Sequence, residues 1–218
     1  MPGQNIIIRK FEPRDKDEVR RIIHDTAFMG EPAGVFFQGE KIISDSLTLY
    51  FTDYEPQSCF VAEADGKVAG CLIGTKNKAA SEKVIKDKIA PYLLWEALRS
   101  GVLFKKKNIM FIINCLSSLI KGEFKMSDFT IVYPATFHIN VKAGFRGVKL
   151  GSRLIEAYER YLREEDITGV HLATMSDAAA KFFFRHGFQL LHRGRRSYFR
   201  HILHRDVPLY IYGKKLYP

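Results

Sequence analysis

The stretch "SCFVAEADGKVAGCLIGTK", residues 58–76, constrains the fold more than any other segment. Two β-favouring runs flank Asp65-Gly66, a dipeptide suited to the positive φ angles of a tight hairpin turn. A hairpin is antiparallel, so the sheet that holds it is not of the all-parallel kind. Upstream, "NIIIRKF" reads as a strand. "EPRDKDEVRRIIHDTAF" follows as a helix with Val19, Ile22, Ile23 and Ala27 at helical spacing, and a second helical piece spans Lys41 to Phe51. Downstream, "TIVYPATFHINV" reads as strand, Leu150 to Arg163 as helix, "GVHLAT" as strand and Asp177 to His186 as helix. "FQLLHRGRRSYF" and "PLYIYGKKLY" read as two closing strands. This order implies an α/β fold: a mixed sheet with helices on both faces. With 218 residues and no internal repeat or linker, a single domain over 1–218 is expected, interrupted by a helix-rich insertion at about 79–122.

Charge is unevenly spread. The total is +10, but residues 76–125 are strongly basic and residues 181–218 more so, while the rest is close to neutral. Two such blocks would attract an anionic cofactor, a nucleic acid or an acidic membrane face. The insertion contains "IMFIINCLSSLI", flanked by Lys105, Lys106, Lys107 and Lys121. That run is short of the roughly 20 residues that span a bilayer. It reads as a helix packed over the domain or against a second copy (a possible homodimer), as a membrane-surface segment, or as a mobile lid. Cys59, Cys71 and Cys115 are an odd set without CxxC spacing, which reads as buried reduced thiols. The opening "MPGQNIIIRKFEPRDKDEV" turns charged at once, so no leader and a cytoplasmic location are expected.

The stretch most suggestive of chemistry is "HINVKAGFRGVKLGSRL". A strand enters a turn with two glycines and opens a helix. The free amides of a first helical turn, with the helix dipole, favour an anion. Glycine at Gly147 or Gly151 would let a diphosphate approach the main chain. Ser152 would add a hydroxyl, and Arg146 and Lys149 charge. The stretch is neither a P-loop nor a dinucleotide fingerprint. By spacing alone, an ordinary strand-to-helix turn explains it as well.

Taken with their context, these residues resemble the GNAT superfamily of N-acetyltransferases. The family's turn, Arg/Gln-x-x-Gly-x-Gly/Ala, is similar to Arg146-Gly147-Val148-Lys149-Leu150-Gly151. Roughly thirty residues on comes an aromatic pair, three residues, then Gly-Phe, here Phe182-Phe183-Phe184-Arg185-His186-Gly187-Phe188. The hairpin at 58–76 matches the family's second and third strands. The resemblance implies a largely antiparallel central sheet of about seven strands whose fourth and fifth members splay apart to admit acetyl-coenzyme A. It implies that Ile139 and Val141 offer main-chain groups to the pantetheine arm. The amides of Arg146, Gly147, Val148, Lys149, Leu150, Gly151 and Ser152 would hold the diphosphate. Asp177 and Phe183 on the following helix would flank the cofactor, with Lys181 and Arg185 near the nucleotide end.

Two positions depart from the pattern. Lys149 stands where the family has its first turn glycine: the turn survives if this residue takes helical φ/ψ, with its ammonium assisting an anion, and reduced affinity is the competing outcome. Phe183 stands where many members have a proton-donating tyrosine. For a general base the candidates are His138 and Tyr133, with Tyr198 on the penultimate strand. Glu31, Glu40 and Glu55 are candidates for binding an amine, against ordinary solvation. His192, His201 and His204 lack metal-ligand spacing, so no metal is expected, and a solvated basic face accounts for them. "RGRRSYFRHILHR" has the composition of a nucleic-acid surface, although cofactor-side charge explains it too. The expected activity is transfer of an acetyl group to a small-molecule or peptide amine by direct attack in a ternary complex. The alternative is a non-catalytic module on the same fold that binds coenzyme A or nucleic acid.

Overall fold

The computed structural model describes residues 5–217; residues 1–4, where the segment read as leaderless begins, lie outside them. The strands are β1 (Ile6–Lys10), β2 (Phe60–Ala64), β3 (Lys67–Thr75), β4 (Ala135–Val141), β5 (Gly169–Thr174), β6 (Gln189–Arg196) and β7 (Val207–Lys215). They form one sheet in the order β1-β2-β3-β4-β5-β7-β6. Neighbours are antiparallel except β4 and β5. The β2–β3 hairpin turns through Asp65 and Gly66, both at positive φ (49° and 78°), as the dipeptide requires.

The central strands carry apolar side chains on both faces, because both faces are covered. Helices α1 (Lys16–Thr26) and α2 (Glu40–Leu49) lie on one side, where Val19, Ile22 and Ile23 pack with Val61, Cys71 and Ile73. Helices α6 (Leu150–Glu164) and α7 (Asp177–Arg185) lie on the other, where Leu154, Ile155 and Phe183 pack with Leu72, Phe137 and Leu172. The insertion folds as α3 (Lys78–Val84), α4 (Ala90–Arg99) and α5 (Lys106–Ile120). A third apolar cluster joins the α1–α2 connection to the insertion and the β6–β7 connection. Phe28, Phe36 and Phe199 meet there, with Phe28 and Phe199 edge to face at 4.8 Å and Phe111 of α5 packed alongside. No described helix is long and apolar enough to cross a membrane.

The expected strand through Tyr198 and Phe199 ends early. The Ser197 amide donates to the Glu123 carboxylate at 2.8 Å, which draws the chain off the sheet, and a short helix α8 (Arg200–Leu203) follows. All three cysteines are free. Cys59 and Cys71 are buried, and burial pushes the Cys59 thiol up to about 12.

Candidate functional site

The decisive geometry is the seam between β4 and β5. These strands pair only at Ala135↔Val170 and Thr136↔His171, then diverge. From Phe137 to Val141 the β5-facing backbone of β4 has no strand partner, although the other edge stays paired with β3 through Val141. Backbone N–H and C=O groups are rarely left unpaired unless water or a ligand takes them. The seam closes at Thr136, where the buried Tyr158 hydroxyl meets the Thr136 carbonyl at 3.1 Å and the Thr75 carbonyl at 3.0 Å. Gly74 makes that approach possible, since a Cβ there would lie 2.5 Å from the hydroxyl oxygen. Burial holds the phenol of Tyr158 well above its ordinary pKa, so it stays neutral.

At the open end of the seam, β4 runs into the turn that starts α6. The amides of Phe145 and Arg146 are bonded locally, and the first helical bond runs from the Arg153 amide to the Lys149 carbonyl. Between them, the amides of Gly147, Val148, Lys149, Leu150, Gly151 and Ser152 have no acceptor among the described residues. Gly147 and Lys149 both take positive φ, 87° and 61°. Alternation of this kind turns successive N–H groups toward one side, a concavity suited to an anion. Lys149 therefore does not adopt the expected helical φ/ψ. It keeps the left-handed conformation in which a glycine is at ease, as the N-cap of α6. A non-glycine residue there costs about 1–2 kcal/mol.

The predicted side chains divide into those at this turn and those elsewhere. Arg146 is exposed and donates to the Gly30 carbonyl at 3.2 Å, tying the turn to the α1–α2 connection. Ser152 Oγ lies 2.8 Å from His186 Nε2, so its hydroxyl joins α6 to α7. A Cβ on Gly151 would sit 3.1 Å from the Phe182 ring, so this glycine also permits the packing of α6 against α7. Asp177 accepts a 2.7 Å hydrogen bond from the Tyr210 hydroxyl, and Lys181 and Arg185 are exposed along α7. Phe183 is buried against Phe137 and Phe188 with no polar atom to offer. Ile139 and Val141 are half-buried on the α6 side of β4.

His138 and Asn140 face the opposite side. Asn140 donates to Thr26 Oγ1 at 2.6 Å, and the His138 ring meets Phe51 edge to face at 5.7 Å. The His138 ring is open to solvent, yet the protein mass around it lowers its pKa by desolvation. Neither ring nitrogen has a hydrogen-bond partner among the described residues, so one nitrogen of the neutral ring is free to accept a proton.

Other candidates are placed apart. Tyr133 lies beyond the closed end of the seam, its carbonyl 2.7 Å from His171 Nδ1 and its ring over Gly169 and Gly213. Tyr198 stacks on Phe124 outside any strand, and burial pushes its phenol up to about 12. Glu55 is not solvated. Its buried carboxylate accepts from Tyr50, Ser58, Thr75 and the Lys76 amide, at 2.6–2.8 Å. Glu31 and Glu40 are exposed. His201 is not part of a solvated face either: both its ring nitrogens are buried without a partner among the described residues. Tyr158, Gly74 and Tyr210 were not anticipated. A glycine inside an apolar strand, "CLIGT", is the one signal that a close approach occurs there.

Residues 129–188, from the approach to β4 through the end of α7, match the model of the acetyltransferase (GNAT) family. The fold is that of a GNAT acetyltransferase. Three solved structures illustrate it. SsHAT is 21% identical, covers 98% of this chain and 99% of its own, and superposes with a TM-score of 0.74. A Drosophila melanogaster polyamine N-acetyltransferase that forms N-acetylagmatine is 16% identical with a TM-score of 0.59, covering 97% of this chain and 100% of its own. Salmonella typhimurium yncA, determined with its cofactor acetyl-CoA, is 12% identical with a TM-score of 0.58, covering 97% and 94%. No curated relative matches the sequence. Among the described residues, no three His, Cys, Asp or Glu side chains gather as a metal site.

Proposed function

We propose that this chain transfers an acetyl group from acetyl-coenzyme A to an amine acceptor, by direct attack within a ternary complex. The observation that carries the reading is the run of six amides, Gly147 to Ser152, without an acceptor among the described residues at the open end of a strand seam. The residues fit the cosubstrate. An anion-binding turn suits a diphosphate, and unpaired strand backbone suits the amide-bearing pantetheine arm. When bound, acetyl-coenzyme A supplies a thioester carbonyl.

The chain's own groups would act around it as follows. The six amides hold the diphosphate, with Lys149 adding charge beside them. Main-chain groups of Ile139 and Val141 align the arm along β4, while Asp177, Lys181 and Phe183 of α7 bound the other side. His138, neutral at physiological pH because its pKa is lowered, accepts the proton of an incoming amine from the α1–α2 side. Phe183 donates no proton, so the protonation of the thiolate falls to water. A thiol with an ordinary pKa of about 8.5 is a tolerable leaving group without help.

The buried, apolar Phe183 is also what favours the second reading, a non-catalytic coenzyme A binder. Calorimetry with acetyl-coenzyme A tests both readings at once, and absence of binding at millimolar ligand would overturn them. A thiol-release assay across monoamines, polyamines, amino acids and peptide N-termini then separates them. Binding without release for any amine class would leave only the second.

A further inference from the structure

Helix α5 turns apolar side chains outward as well as inward, where Phe111 meets the third apolar cluster. Its buried positions are Asn108 and Ser118, while Ile109, Ile113, Leu116 and Ile120 are all exposed, Ile120 by 87%. At about 100° per residue those four positions fall on one stripe, roughly opposite the buried side. The polar inward groups are satisfied. Asn108 bonds the Gln38 backbone and the Val102 carbonyl, and Ser118 meets Ser197 at 3.1 Å. The outward face therefore does not result from a misplaced core. Exposed Phe104 precedes the helix, and exposed Phe124 and Met126 follow it.

What surrounds the stripe is cationic. Lys105, Lys106 and Lys107 stand at one end, Lys121 and Lys125 at the other, and none of the five forms an ion pair among the described residues. Residues 97–122 contain no Asp or Glu, and the nearest carboxylate, Glu123, is engaged by the Ser197 amide. Lys121 acts on the Glu123 carboxylate, and the other four ammonium groups have no ion-pair partner among the described residues, which favours an anionic partner. A second copy docked through the same face would bring two such unpaired sets together, which disfavours that occupant.

We propose that α5 docks this protein onto an anionic bilayer surface, lying in the plane with Ile109, Ile113, Leu116 and Ile120 turned into the acyl boundary and the flanking lysines at the headgroups. The stripe is about 16 Å long, too short to span a hydrocarbon core of about 30 Å, and its basic ends suit the interface. This inference is independent of the acetyl-transfer reading.

The test is co-sedimentation of the full chain with vesicles of phosphatidylcholine containing 30% phosphatidylserine, against pure phosphatidylcholine. Binding to the anionic vesicles is expected, weaker on neutral ones and weakened again by 0.5 M salt. The double variant Ile113→Glu, Leu116→Glu changes two outward side chains, and should lower binding by at least about tenfold while circular dichroism and melting stay unchanged. Lys105→Glu with Lys106→Glu should do likewise. No binding by the parent chain would overturn the proposal, as would unchanged binding by the first variant. So would a parent dimer in analytical ultracentrifugation that the first variant converts to monomer, since a second copy would then cover the stripe.

Discussion

The Tyr158 hydroxyl reaches the Thr136 carbonyl at 3.1 Å, at the last residue of β4 that still pairs with β5. A side chain from α6 thus fixes where the seam begins to open, with Gly74 leaving the space for it. Tyr158→Phe should cost about 1 kcal/mol by losing a buried hydrogen bond. Gly74→Ala should cost about 1–3 kcal/mol by overpacking the hydroxyl. In urea denaturation the double variant should lose only slightly less than the sum, because the hydroxyl contact is relieved while the ring carbons, 2.6 and 2.8 Å from that Cβ, still clash. Strict additivity would show that the two positions do not share the contact.

Lys149 answers a separate question, whether a lysine in the turn obstructs it. Its φ of 61° is already that of a glycine, so Lys149→Gly should preserve the six amides and relieve left-handed strain. Part of that relief is offset by the greater freedom of glycine in the unfolded chain, leaving a net gain of about 0.5–1 kcal/mol in thermal unfolding. Affinity for coenzyme A, measured by calorimetry, should stay within about fivefold, the range of one exposed charge. A larger loss would assign the ammonium a direct role.

Two histidines in the sheet set a pH signature. Desolvation lowers the pKa of both His138 and His171 below 6.5. In each case the folded form binds protons less readily than the unfolded one. Their contribution to stability is thus full above pH 6.5 and shrinks as pH falls toward the lowered folded values. Acetyl transfer, if His138 is the base, should rise with pH along a limb centred below 6.5 and level off by neutrality. His138→Gln should flatten that limb and leave calorimetric coenzyme A affinity unchanged. A limb that persists in the variant would place the base elsewhere.

Glu55 tests whether a carboxylate in the acceptor-side region is structural. Glu55→Ala would strand the Tyr50, Ser58 and Thr75 hydroxyls and the Lys76 amide inside the protein. A loss of about 3 kcal/mol or more is expected in urea denaturation, because several buried donors lose one acceptor. A variant of normal stability with altered amine preference would instead make Glu55 part of the acceptor site.

Local pattern made much of this architecture legible. Asp65-Gly66 marked the hairpin, helical spacing marked α6, and "GVHLAT" coincides with β5. Features governed by distant partners were not legible. β6 stops at Arg196 because Glu123 captures the next amide, and nothing near "RRSYF" announces it. Lysine has no sequence preference for positive φ, so the conformation of Lys149 is imposed by the turn rather than by its own side chain. Glu55 reads as a solvated acid because two of its four donors, the Thr75 hydroxyl and the Lys76 amide, come from 20 and 21 residues downstream. The two-pair contact between β4 and β5 is a matter of strand direction, which hydrophobic pattern does not encode.

The short β4–β5 pairing has a thermodynamic consequence. A molecule whose amides line the seam would occupy the position of a missing strand, adding hydrogen bonds that the unfolded chain cannot offer. Its binding would then raise global stability by RT ln(1 + [L]/Kd), growing with ligand concentration. Amides of β4 beyond Thr136 that direct their N–H toward the seam should exchange with solvent readily in the free chain and slowly once a ligand is bound. Hydrogen exchange along residues 137–141 would thereby detect any occupant of the seam, whether or not it reacts.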